Sequence, residues 1–153
     1  MAKTSAGILL FRRQGDSVEV FLVHPGGPYW ARKDEGAWSI PKGEAESGED
    51  LLTRATLEFA EETGFAAVGS PTPLDPVTQA GGKIVHVWAL EGDADAAKVR
   101  SNRFSLEWPP GSGKVREFPE VDRASWFELA TAREKINKGQ RPLLEQLERL
   151  LGA

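Results

Sequence analysis

The sequence predicts an α+β fold, and three observations carry that expectation. Several short segments are apolar in alternation or in brief unbroken runs, and each is bounded by Gly, Pro, Asn or Asp. One acidic segment in the middle and two segments at the end carry the helical period instead. There is no internal repeat, low-complexity tract or linker, so residues 1–153 are read as a single domain.

Taken in order, Ala6–Arg13 is expected to form a strand, with Val18–His24 as its hairpin partner across Gly15-Asp16. The long connection from His24 to Gly36 carries Tyr29 and Trp30, and a loop of that length in a small domain is expected to be functional. Trp38-Ser39-Ile40 reads as a short strand stopped by Pro41-Lys42-Gly43. Ser47, with an acid three residues on, reads as a helix cap. The helix should run to about Thr63 and stop at Gly64 in the left-handed conformation. Strands are expected at Leu74–Thr78, Lys83–Leu90, Arg103–Glu107 and Ala124–Glu128, with a loop through Trp108–Gly113. Helices at Leu129–Asn137 and Pro142–Leu151 close the chain. The second should bury Leu143, Leu144, Leu147, Leu150 and Leu151 on one stripe.

Composition narrows the function classes. The chain has 153 residues, of which 40% are hydrophobic and 27% charged, enough for one buried core. No run reaches the roughly 18 apolar residues of a membrane helix, and the amino terminus lacks the pattern of a signal peptide. The absence of cysteine excludes disulfides, thiolate metal sites and a cysteine nucleophile, and fits a cytoplasmic protein. A net charge of −4 argues against binding to nucleic acid polymers or anionic membranes.

That charge is concentrated. Between Glu44 and Glu62 stand seven acids and one base, Arg54, so the segment carries −6 and the remainder of the chain +2. An ordinary solvated helix interleaves both signs. On a helical projection Leu51, Leu52, Ala55 and Phe59 share the core stripe, Glu58 and Glu62 fall on its edge, and Glu61 lies close by. Burying carboxylates against apolar neighbours is costly without a cation. Three clustered carboxylates make a hard-oxygen site suited to Mg2+ or Mn2+. The competing reading is a solvated acidic helix.

The spacing also resembles a known signature. Gly43, Glu49, Glu58, Glu61, Glu62 and Gly64, with apolar Phe59 and Phe65, match the Nudix box, G-x5-E-x7-R-E-U-x-E-E-x-G-U, where U is apolar. The run Trp38–Glu44 resembles the lead into that box in dinucleoside polyphosphate hydrolases, and Glu120–Phe127 resembles the family's late acid-then-Trp strand. The likeness covers about Ser5 to Leu151. It implies a mixed curved sheet in an α/β/α sandwich, with the box helix on one side and carboxy-terminal helices. The departure is Leu57, which stands where the family has an arginine that orients the glutamates. Arg54, one turn before Glu58, can supply part of that charge.

The resemblance implies a divalent-metal-dependent pyrophosphohydrolase that cleaves a nucleoside diphosphate linked to another group. Dinucleoside polyphosphates or other nucleoside polyphosphates come first as substrates. Glu58, Glu61, Glu62 and the Gly43 carbonyl are the implied metal ligands, with Glu49 and Arg54 behind them. Glu58 and Glu61 are also expected in the chemistry, with Glu120, or Glu117, as a candidate base. Lys42, and less directly Arg32 or Lys33, are candidates for phosphate; Tyr29, Trp30, Trp38 and Trp108 are candidates for stacking. Trp88, Trp126, His24 and His86 are read as structural. The partner is then a small nucleotide. The family also contains homodimers, although no exposed apolar stripe demands one here. The alternative, motivated by Leu57, is a non-catalytic nucleotide-binding or regulatory domain of the same fold.

Overall fold

A computed structural model describes residues 3–152; Met1, Ala2 and Ala153 lie outside them, and with them part of the amino-terminal reading. In chain order the elements are β1 (Thr4–Gln14), β2 (Ser17–Pro25), β3 (Lys42–Glu44), α1 (Leu51–Thr63), β4 (Thr72–Pro73), β5 (Val77–Thr78) and β6 (Ile84–Glu91). They continue with β7 (Arg103–Glu107), β8 (Val115–Pro119), β9 (Val121–Glu128), α2 (Leu129–Lys135) and α3 (Arg141–Leu151).

β1 is the spine because it is apolar on both faces. Ala6, Ile8 and Leu10 are buried to one side, Leu9 and Phe11 to the other. It pairs antiparallel with β2 and β3 and parallel with β6, which makes the sheet mixed. The strand order is β4-β6-β1-β2-β9, with β3 added to β1 and β5 to β6; β7 and β8 form a separate two-stranded ribbon. Helix α3 buries Leu143, Leu144 and Leu147 against Leu9, Phe11, Val85 and Val87 on one face. Helix α1 buries Ala55 and Phe59 against Ala6, Ile8, Leu10 and Phe21 on the other. Full burial of a side chain such as Phe59 is worth about 1.5–3 kcal/mol. The result is the expected α+β architecture, a mixed sheet between helices.

Several expectations need correction. The cap of α1 is Asp50, not Ser47: the Thr53 N–H donates to its carboxylate at 3.0 Å, while Glu49 reaches back to the Glu46 N–H. Pro41 does not end pairing in this region, since Lys42–Glu44 forms a ladder on β1 while Trp38 and Ser39 make only isolated bridges. Pro76 lacks the N–H a ladder needs, and of the expected strand Leu74–Thr78 only Val77–Thr78 pairs with β6, while a separate short pairing, Thr72–Pro73, precedes it. β8 had no counterpart in the sequence reading; it is mostly solvent-exposed and pairs with β7 alone. Leu150 is 47% exposed and leaves the α3 stripe.

Candidate active site

Helix α1 brings the carboxylates together for a packing reason. Once Ala55 and Phe59 are fixed on the sheet, the edge positions Glu58 and Glu62 must lie along β3. Glu58 presses on the Gly43 backbone so closely that a β-carbon there would sit 2.1 Å from its carboxyl carbon. Any larger residue at 43 would therefore displace the Glu58 carboxylate. The Lys42 N–H donates to Glu62 Oε1 at 3.3 Å. Glu61 stands further out, in solvent.

The fourth carboxylate comes from the turn between β8 and β9. Glu120 is fixed by its backbone, donating its N–H to the Asn102 carbonyl at 2.8 Å and accepting from the Gly26 N–H at 2.9 Å. Its charge bears on both Glu58 and Glu62. Glu117, the other acid considered for this position, points from β8 and is exposed.

The electrostatics of the group are unbalanced. Burial first, and then the charges of Glu58 and Glu120, push the Glu62 carboxyl up to about 8 against the opposing pull of Lys42. Burial and the neighbouring Glu61 raise Glu58, with Arg54 opposing and Glu120 adding to the rise. Negative charge gathered in a partly desolvated place fits a divalent cation, and the donors are hard oxygens. Among the described residues no three His, Cys, Asp or Glu side chains already converge as a cage. Glu58 is turned to Arg54 at 3.1 Å, and the donors around it are the hard oxygens that fit a divalent metal.

Arg54 lies one turn before Glu58 on α1. Its guanidinium donates Nη2 to Glu49 at 2.8 Å and Nη1 to Glu58 at 3.1 Å, tying the helix start to the middle of the carboxylate row. Leu57 is 46% exposed, away from the Ala55–Phe59 stripe.

The remaining candidates divide. Lys42 lies half-buried beside Glu62, and its ammonium is within hydrogen-bonding reach of Lys83; burial and then the Lys83 charge lower its pKa. Lys83 had been passed over, because nothing in Gly81-Gly82-Lys83 marks it as a partner of residue 42. Tyr29 and Trp30 are exposed on the long loop, and Tyr29 meets Trp108 edge-to-face at 5.2 Å between centroids. Lys33 lies over the Trp30 ring at 4.9 Å. Trp38 must be withdrawn as a stacking residue: it is buried at 4% exposure, its Nε1–H bonds Asp34, and its ring meets Phe127 edge-to-face. Trp88 and Trp126 pack against the α1-side core, as expected.

A family model for the NUDIX domain matches residues 1–147. The chain belongs to the NUDIX family. An RNA pyrophosphohydrolase of Caulobacter vibrioides is 42% identical over 57 residues, which is 34% of this chain and 33% of that protein. The matched segment is thus about a third of the curated relative's length. Among solved structures, a C. elegans Ap4A hydrolase in a binary complex has a TM-score of 0.67 at 22% identity, covering 99% of this chain and 98% of that one. The NUDIX domain of Shewanella oneidensis NrtR, with ADP ribose, has a TM-score of 0.67 at 17% identity, covering 99% and 89%. At these identities the structures establish the shared fold.

Proposed function

We propose that this NUDIX protein is a divalent-metal-dependent pyrophosphohydrolase of nucleoside diphosphates linked to another group, with dinucleoside polyphosphates as the first substrate class. The observation that carries the reading is the meeting of Glu58, Glu61 and Glu62 from α1 with Glu120 from a separate turn. Mutual repulsion and burial leave that group short of positive charge. Glu58, Glu61, Glu62 and the Gly43 carbonyl would hold Mg2+ or Mn2+, which when bound offsets the charge of the pyrophosphate and of the departing oxygen.

The chain's own residues divide the remaining work. Glu120, exposed and backbone-anchored, accepts the proton of the attacking water as the new P–O bond forms and the bridging P–O bond breaks. Lys42 and Lys83, side by side, contact phosphate oxygens. Tyr29 and Trp30, exposed, and the half-buried Trp108 offer ring faces on which a base can stack. Arg54 and Glu49 brace Glu58. The Arg54 bridge also weakens the case for a retired, purely regulatory domain, because the charge missing at position 57 is supplied from the preceding turn.

The test incubates the protein with nucleoside triphosphates, dinucleoside polyphosphates and nucleotide sugars in ¹⁸O-water, with magnesium or with chelator. Magnesium-dependent loss of a dinucleoside polyphosphate with label in one product phosphate is expected. Turnover that survives chelation, or binding without turnover of any compound, overturns the reading.

A further inference from the structure

His24, one residue before the end of β2, is completely buried. Its Nδ1 lies 2.8 Å from Asp122 Oδ1, and its Nε2 lies 2.6 Å from the Lys33 carbonyl oxygen. A backbone carbonyl and an ionised carboxylate both only accept, so each bond draws an N–H from the ring. Neutral imidazole has one N–H; imidazolium has two. We infer that His24 stands in the folded protein as a doubly protonated imidazolium and is a positioning residue, binding the aromatic loop to the start of β9.

The charged groups around the ring are of both signs. From β9 come Asp122 and Arg123, the latter being the register partner of His24, with its guanidinium 5.3 Å over the Trp38 ring. The loop supplies Asp34, which bonds Trp38 Nε1, and Lys33, whose ammonium is turned onto Trp30. Lys135 of α2 pairs with Asp34. The Trp38 ring meets the imidazole edge-on at 5.2 Å. Among the described residues Asp122 is thus the one carboxylate bonded directly to the ring, and a charge-assisted bond is the strong form of this contact.

The loop shows what the clamp holds. The Trp30 N–H donates to the Gly27 carbonyl at 3.3 Å, and the Lys33 N–H to the Trp30 carbonyl at 2.9 Å. The Lys33 carbonyl then receives His24. Tyr29 and Trp30 therefore lie between two tethers. At the near end Gly26 donates to the Glu120 carbonyl, and a β-carbon on Gly26 would sit 1.9 Å from the Pro119 oxygen. At the far end His24 reaches Asp122. Both tethers finish on Glu120–Asp122, so the aromatic loop and the turn that carries Glu120 move as one piece. Loss of His24 removes the tether on the Lys33 carbonyl, with Asp34 beyond it still bonded to Trp38 and Lys135, and leaves Glu120 held by its own backbone bonds. Its consequence for turnover rests on the proposed hydrolase reading, whereas its protonation state and its hold on the loop do not.

Three measurements test this. In ¹⁵N-labelled protein at neutral pH, long-range ¹H–¹⁵N spectra should show both His24 ring nitrogens protonated. H24Q assigns the signals. A single-tautomer neutral pattern would place the second proton on Asp122 and overturn the inference. In D122N the side-chain amide can donate to Nδ1, so the ring should become neutral with Nε2–H still on Lys33. Backbone ¹⁵N relaxation should then report increased motion for residues 29–33 in H24Q and little change in D122N; an unchanged loop in H24Q overturns the positioning role. Should H24Q fail to fold, the spectra of the parent and D122N decide the protonation, and H24N repeats the loop measurement. With a dinucleoside polyphosphate, H24Q should raise KM by about fivefold or more while kcat stays within about twofold. Equal loss in both, or neither, contradicts the assignment. An inactive parent would instead defeat the hydrolase reading and leave the spectra to judge His24.

Discussion

The two faces of the sheet bury a helix each, yet they use burial for different ends. Against α3 the interior is apolar, and Gln140, buried there, is fully bonded: it accepts from the Ile40 N–H and donates to Ser39 and Gln79. Against α1 the helix sets only Ala55, Phe59 and Thr63 fully inside and turns Glu58 and Glu62 along the boundary. One helix contributes stability. The other gives up part of it to hold charges that a solvated surface would leave harmless. The comparison teaches that a helix–sheet contact becomes a candidate site when its edge positions, not its central stripe, carry the unusual residues.

Four measurements would break or sharpen this contrast. The largest effect is expected at the charged face, where Glu120→Gln should lower kcat by about 10²–10⁴-fold with little change in denaturation midpoint. A parental rate would remove Glu120 as the base. Next, Leu147→Ala on the α3 face should cost about 2–5 kcal/mol in chemical denaturation while leaving metal affinity alone. If it altered metal affinity instead, the two faces would not be independent.

Third is the pH dependence of the metal-free protein. Glu62 has its pKa raised from 4.5 to about 8 by burial. Below 4.5 the carboxyl is protonated in both folded and unfolded chains, and it carries no penalty. Between 4.5 and 8 only the folded chain keeps the proton, so stability falls as pH rises, by at most about 1.4 kcal/mol per pH unit, and then levels off. Glu62→Gln should abolish that fall, visible as a difference between the two stability–pH curves; parallel curves would mean the carboxylate is not penalised. The smallest effect is expected from Arg54→Ala, which should weaken magnesium affinity or turnover about 10–100-fold by freeing Glu49 and Glu58. Restoration by Leu57→Arg in that background would show that the two positions supply the same charge.

Legibility followed the range of the interactions. The α1 helix, its Gly64 stop and the gathering of Glu58, Glu61 and Glu62 depend on residues within a few turns of one another, and periodicity reports that. β7, with the same limits in structure and sequence reading, is equally local. The cap was misplaced by three residues because Gly48, at φ 84°, turns the chain so that Ser47 faces away and Asp50 begins the helix. Trp38 resembled a stacking residue because it lies in a run next to the acidic segment, but its burial follows from Phe127 and α2, which are distant in sequence.

What the sequence by itself determined is the fold class, the acidic helix and the family likeness, since periodicity, charge segregation and fixed spacing are properties of neighbouring residues. Tertiary structure alone decided that Glu120 and not Glu117 faces the helix, that Lys83 lies beside Lys42, and that His24 finds Asp122 across 98 positions. Each of those meetings is set by strand register and loop closure, whose energies are shared across the whole sheet and leave no mark at any one residue.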